Sequence, residues 1–97
     1  MNIIFLPSSL DDLGWMKRYY TVVFPAGKPQ ASKRYRQTLA VIRKNPKAGS
    51  RSQSVDSLHE YPITNTPFTF VYQVTKTEIR IVNVKDQRSN KRIRRPA

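Results

Sequence analysis

Cysteine is absent from this sequence and histidine occurs once, at His59. A disulfide framework and a thiolate metal site are thereby excluded, and a lone imidazole supports neither a metal cluster nor a Ser-His-Asp relay. Glycine is scarce: Gly14, Gly27 and Gly49 are too scattered to build a phosphate-cradling loop. The six acids show no paired spacing suited to a two-carboxylate mechanism. Apolar runs are only a few residues long, too short to span a membrane. The opening Met1-Asn2-Ile3-Ile4-Phe5-Leu6-Pro7 carries no basic lead, long apolar region or small-residue cleavage site. A cytoplasmic protein with no metal, no cofactor and no membrane partner is expected.

Positive charge is what the chain has in excess, at +12. It is unevenly spread. Residues 1–27 are neutral, residues 52–84 sum to −1 and residues 85–97 to +5. Residues 28–51 hold Lys28, Lys33, Arg34, Arg36, Arg43, Lys44, Lys47 and Arg51 with no acid, giving +8. Such a field favours a polyanionic partner, either nucleic acid or a protein with an acidic face. The bland alternative is a solvated surface that only keeps the chain soluble.

The apolar pattern is centred on residues 66–87. Phe68, Phe70, Tyr72 and Val74 point one way and Val71 the other; after Thr75-Lys76-Thr77 the pattern resumes with Ile79, Ile81 and Val82-Asn83-Val84. Both runs are rich in β-branched and aromatic residues, which predicts a central hairpin. Earlier, Asn2 to Leu6 reads as a short strand stopped by Pro7. Ser8-Ser9 is the expected N-cap of a first helix, with Asp11 and Asp12 in its first turn. Leu10, Leu13, Met16, Tyr20 and Val23 recur there at helical spacing, and Pro25-Ala26-Gly27 ends it. Trp15 and Tyr19, four apart, are expected to extend the core.

Pro29 suits the opening of a second helix, whose apolar stripe is Ala31, Tyr35, Leu39 and Ile42 and whose other face is basic. Asn45-Pro46 closes it. Lys47 to Ser54 reads as a loop, and Val55 to Ile63 as a weak strand with Pro62 placing it at an edge. The expected fold is α+β: order β-α-α-β-β-β, a two-helix hairpin on a small, mainly antiparallel four-stranded sheet. One domain over residues 1–92 is expected, followed by a short basic tail over 93–97.

These features together resemble the RelE/ParE superfamily of bacterial type II toxins. Asn45-Pro46-Lys47-Ala48-Gly49 is similar to the Asn-Pro-x-x-Gly that ends the second helix in many members. Leu58-His59-Glu60-Tyr61-Pro62-Ile63 looks like their strand before the hairpin. Pro67 to Val74 is similar to the family's aromatic strand, Ile79 to Val84 to its last, and Val84-Lys85-Asp86-Gln87-Arg88 to its Val-x-His-x-Arg ending. The resemblance implies a toxin neutralised by an antitoxin encoded beside it, an acidic one given the basic helical segment. It implies one of two targets: DNA gyrase for ParE-like members, or messenger RNA on the ribosome for RelE-like nucleases.

Phosphodiester cleavage would set Lys47, Arg51 and Arg88 on the phosphate and His59 as proton carrier, the RNA 2′-hydroxyl being the nucleophile. The competing view of His59 is a half-exposed residue on an edge strand. Several positions depart from the nuclease pattern. Thr69 stands where those members tend to carry arginine, no tyrosine follows Tyr72, and Asp86 replaces the late histidine. His59, in turn, replaces an arginine common in ParE-like proteins. The resemblance therefore implies a ParE-like, non-enzymatic toxin ahead of the ribosome-dependent endoribonuclease. Arg34, Arg36, Arg43, Lys44, Lys85, Arg88 and Lys91 are the expected contacts to target or antitoxin. A third possibility, from charge alone, is a non-toxic basic nucleic-acid-binding module.

Overall fold

In the computed structural model, residues 1–51 and 57–88 are described. The elements run β1 (Asn2–Phe5), α1 (Pro7–Arg18), a π turn (Tyr19–Val23), a 3₁₀ turn (Pro25–Gly27), α2 (Lys28–Lys44) and a second 3₁₀ turn (Pro46–Ala48). Then come β2 (Ser50–Arg51), β3 (Leu58–Pro62), β4 (Phe68–Val74) and β5 (Glu78–Asp86). Two helices pack on one five-stranded mixed sheet of order β1-β5-β4-β3-β2. β1 runs parallel to β5 and every other pairing is antiparallel.

The α+β class and the element order agree with expectation, but the sheet has five strands rather than four. The extra strand is β2, inside the stretch read as a loop. Its two residues pair with Glu60 and His59, so β3 is not an edge strand. Pro62 is tolerated because it falls at the strand's end. Val55 at the start of the expected strand, the 92/93 boundary, the basic tail and Lys91 all lie outside the described residues.

The start of α1 also differs from expectation. Leu6 is the N-cap and makes no side-chain cap, while Pro7 occupies the first turn. Proline there loses nothing, since its missing N–H would have had no partner. The helix thus begins before Ser8-Ser9, and these serines bond elsewhere. Ser9 Oγ donates to the Leu6 carbonyl (2.8 Å) and Ser8 Oγ to the Val82 carbonyl of β5 (2.7 Å). No acid lies in the first turn. Asp12 is instead buried and accepts from the Val84 N–H (2.9 Å) and Asn83 Nδ2 (3.1 Å). Those donors sit beyond the level where β1 has ended, so a carboxylate from the helix takes the place of a missing strand.

The core lies between the helices and one face of the sheet. Phe68, Phe70, Tyr72, Ile79, Ile81 and Val84 come from the hairpin, meeting Met16, Tyr20, Ala31 and Ile42. Each large side chain buried this way contributes about 1.5–3 kcal/mol. A bulge at Val82 shifts the pairing, with Val71 opposite Asn83 but Tyr72 opposite Ile81. The inward positions therefore change from Ile79 and Ile81 to Val84 and Asp86. Trp15 and Tyr19 pack against this core at its margin, as expected.

Candidate interaction surfaces

Between α1 and α2 a cleft of about 470 Å³ opens to solvent. Its floor is apolar: Leu13, Met16, Tyr20, Ala31 and Tyr35. Of the α2 residues that line it, Ala31 and Ser32 are too small to close the gap to α1. Exposed Lys17, Lys28 and Arg36 stand around it. Burial raises the Tyr35 hydroxyl above its ordinary pKa, and burial followed by the neighbouring Tyr19 does the same for Tyr20. Both stay neutral at physiological pH. The cleft thus combines an uncharged apolar floor with a cationic rim, a combination suited to an apolar side chain on an acidic segment.

At the far end of β5, Asp86 is a buried carboxylate that accepts four hydrogen bonds. It is 2% exposed and faces Phe68 across the strands. Its Oδ2 accepts from Trp15 Nε1 (2.7 Å) and Arg88 Nη2 (2.9 Å), and its Oδ1 from Arg88 Nε (3.0 Å) and the Arg88 backbone N–H (3.1 Å). Burial alone would raise this carboxyl, but the hydrogen bonds from Arg88 and Trp15 outweigh it and hold the pKa below the ordinary value. Hydrogen bonding to Asp86 raises Arg88 in turn. The guanidinium also lies over the Tyr19 ring, 4.1 Å from its centroid, and 5.9 Å from that of Phe68. Arg88 is a fixed and partly neutralised cation rather than a swinging one.

The remaining residues of the expected nuclease set lie elsewhere. Arg51, His59 and Tyr72 are successive cross-strand partners on β2, β3 and β4, so they share the helix-side face. The His59 ring stacks on Tyr72, with centroids 5.4 Å apart, and its Nδ1 is buried without a hydrogen-bond partner. Tyr72 behaves as the core residue expected. Its hydroxyl donates to the Pro46 carbonyl (2.8 Å) and accepts from the Gly49 N–H (3.0 Å). Burial raises its pKa despite the Gly49 bond, so it remains a protonated anchor for the turn that carries Lys47. Gly49 is required by close approach: a Cβ there would lie 2.6 Å from that hydroxyl and 2.7 Å from the Glu60 carbonyl oxygen. Arg88 lies beyond the Phe68 end of β4, and Phe68 is itself four residues from Tyr72, ~13 Å at about 3.3 Å per residue. Lys47, Arg51 and His59 thus occupy one corner, and Arg88 another.

Of the expected recognition residues, Arg43 and Lys44 are exposed in the last turn of α2, and Arg36 is exposed beside the cleft. Arg34 is half-buried, with Nη1 3.4 Å from Gln37 Oε1 and a buried Nε that has no hydrogen-bond partner. Lys85 reaches across the sheet to Glu60 (3.0 Å). Sequence reasoning missed the cleft because Leu13, Met16, Tyr20, Ala31 and Tyr35 read as ordinary helix stripes. The one signal was that Ala31 and Ser32 bring little volume to the facing side. Trp15 was assigned to the core without its partner Asp86, for which no local pattern exists.

No family model matches this chain, and none of the curated proteins compared with it does. A solved structure described as a chromosomal ParDE TA system from P. aeruginosa superposes with a TM-score of 0.69 at 16% identity. The match covers 89% of this chain and 95% of that one. Likeness at that identity shows the fold alone: this chain shares the fold of that structure.

Proposed function

We propose that this protein is the toxin of a type II toxin–antitoxin pair, silenced by an acidic antitoxin segment that lies in the α1–α2 cleft. The observation that carries the reading is the cleft itself, an apolar floor inside a ring of Lys17, Lys28 and Arg36 on a fold shared with a ParDE system. An acidic amphipathic segment would bury apolar side chains there and meet cations at its edges. Expression alone should arrest bacterial growth, and co-expression of the protein encoded beside it should restore growth. Ser32→Trp fills the cleft from an incompletely buried position. It should leave arrest intact while weakening rescue by at least tenfold in antitoxin dose. Arrest that is rescued as fully as in the wild type would refute the cleft as the antitoxin seat. Absence of arrest would refute the toxin reading.

We further propose that the action is ParE-like, on DNA gyrase, without cleavage of nucleic acid. A nuclease needs its arginine free to neutralise developing phosphate charge beside the proton carrier. Here Asp86 already occupies Arg88, and a phosphate approaching it would also meet that carboxylate. His59 stands at a different corner. Disturbed plasmid supercoiling with intact transcripts is the expected phenotype. Ribosome-dependent cuts in transcripts would overturn it in favour of the endoribonuclease.

A further inference from the structure

The outer face of α2 carries four cations, of which only Arg36 borders the cleft and none joins the Asp86–Arg88 pair. At 3.6 residues per turn, Lys33, Arg36, Arg43 and Lys44 fall within an arc of about 100°, opposite the buried Ala31, Thr38 and Ile42. From Lys33 to Lys44 the arc extends about 16 Å at 1.5 Å per residue. All four side chains are exposed. The ion pairs among the described residues use Arg80, Lys85 and Arg88 instead. No aspartate or glutamate occurs in the sequence between Asp12 and Asp56.

What lies between the cations decides the partner. Pro29 and Ala40 fill the centre of the arc and Gln37 borders it, all exposed, and Tyr35 turns inward onto Phe70. A protein interface needs an apolar centre inside its polar rim; the cleft has one and the arc does not. Binding to a phosphate backbone needs only lysine and arginine. No aromatic side chain is available on the arc to stack on bases, and its cations are spaced along one helix face. We infer that the outer face of α2 binds the phosphate backbone of nucleic acid without reading its bases. Lys33, Arg43 and Lys44 do not line the cleft, and Arg36 alone is common to both surfaces. This inference stands whether or not the protein is a toxin.

The test is fluorescence anisotropy of the purified full chain with a labelled mixed-sequence single-stranded RNA of about 20 nucleotides, between about 50 and 200 mM salt. Arg43→Gln/Lys44→Gln, both exposed and replaced by a good helix former, should weaken binding about tenfold. It should also reduce the log–log salt slope by about 1.4, at ~0.7 for each phosphate no longer neutralised. Arg18→Gln/Lys76→Gln removes the same charge from elsewhere and should cost less than about threefold. Equal weakening in the two variants would overturn the arc as a site, and so would wild-type protein that binds no RNA. Polyglutamate displacing the RNA at equal or lower charge concentration would assign the arc to an acidic protein and overturn the inference.

Discussion

Replacing Asp86 by alanine tests the reading of the β5 terminus most directly. The substitution removes four hydrogen bonds at once. Two of its effects differ in size. The Trp15 indole N–H loses its acceptor at the core margin, which costs about 1–3 kcal/mol. Arg88 loses its counter-charge, but its side chain is 43% exposed and can turn to water. That ion pair then contributes only about 0–1 kcal/mol. The net expectation is a loss of about 1–4 kcal/mol. For a domain of this size that lowers Tm by roughly 4–8 °C per kcal/mol. Asp86→Asn keeps an acceptor for Trp15 and should lose only about half as much.

Urea unfolding followed by fluorescence is well suited to the measurement, because Trp15 is the single tryptophan and its N–H bonds the residue being changed. The pH dependence supplies an independent check. Since the folded Asp86 carboxyl titrates below its ordinary value, its stabilisation is fully present above that ordinary value. It is lost as pH falls through the lowered folded one. The gap between wild type and Asp86→Asn should therefore hold near neutrality and close in strong acid. An Asp86→Ala protein within about 0.5 kcal/mol of wild type would refute the assigned role.

Two further outcomes follow from the Tyr72 corner. Gly49→Ala places a methyl group 2.6 Å from the Tyr72 hydroxyl and 2.7 Å from backbone oxygen, so the turn must move. A loss of about 1–3 kcal/mol in thermal or urea unfolding is expected, and an unchanged Tm would show that the turn is loosely held. His59→Ala should leave growth arrest on expression intact, because the ring stacks on Tyr72 at a distance from Arg88; loss of arrest by a folded His59→Ala protein would return the imidazole to the mechanism.

Legibility from sequence followed how far each feature depends on periodic apolar residues. The hairpin of β4 and β5 was readable because Phe68, Phe70, Tyr72, Ile79 and Ile81 announce a buried face in alternation. α2 was readable from Ala31, Tyr35, Leu39 and Ile42. β2 was not, since Ser50-Arg51 pairs with β3 and carries no apolar signal. The serine cap failed for a related reason: Pro7 can occupy the first helical turn as readily as it can end a strand. As to the surfaces, the basic character of α2 was plain, whereas the cleft depends on how two stripes diverge in space. The pairing of Trp15 with Asp86 joins residues 71 apart in sequence, beyond the reach of any local pattern.

The bulge at Val82 links these observations. Without the extra residue, strict alternation from Ile79 and Ile81 would aim residues 83 and 85 at the core and residue 86 at the open face of the sheet. With it, position 86 points inward beneath α1, within reach of Trp15, and Arg88 is drawn back over Tyr19 and Phe68. The chemical identity of residue 86 then governs the arginine two positions on. An aspartate there binds the guanidinium through both oxygens and offsets its charge, whereas a neutral side chain would leave that charge available to a ligand. The aspartate that stands where the RelE/ParE pattern this chain resembles has a late histidine therefore bears on Arg88 itself. It is the main physical support for the proposal that this protein acts on a protein target rather than on a phosphodiester bond.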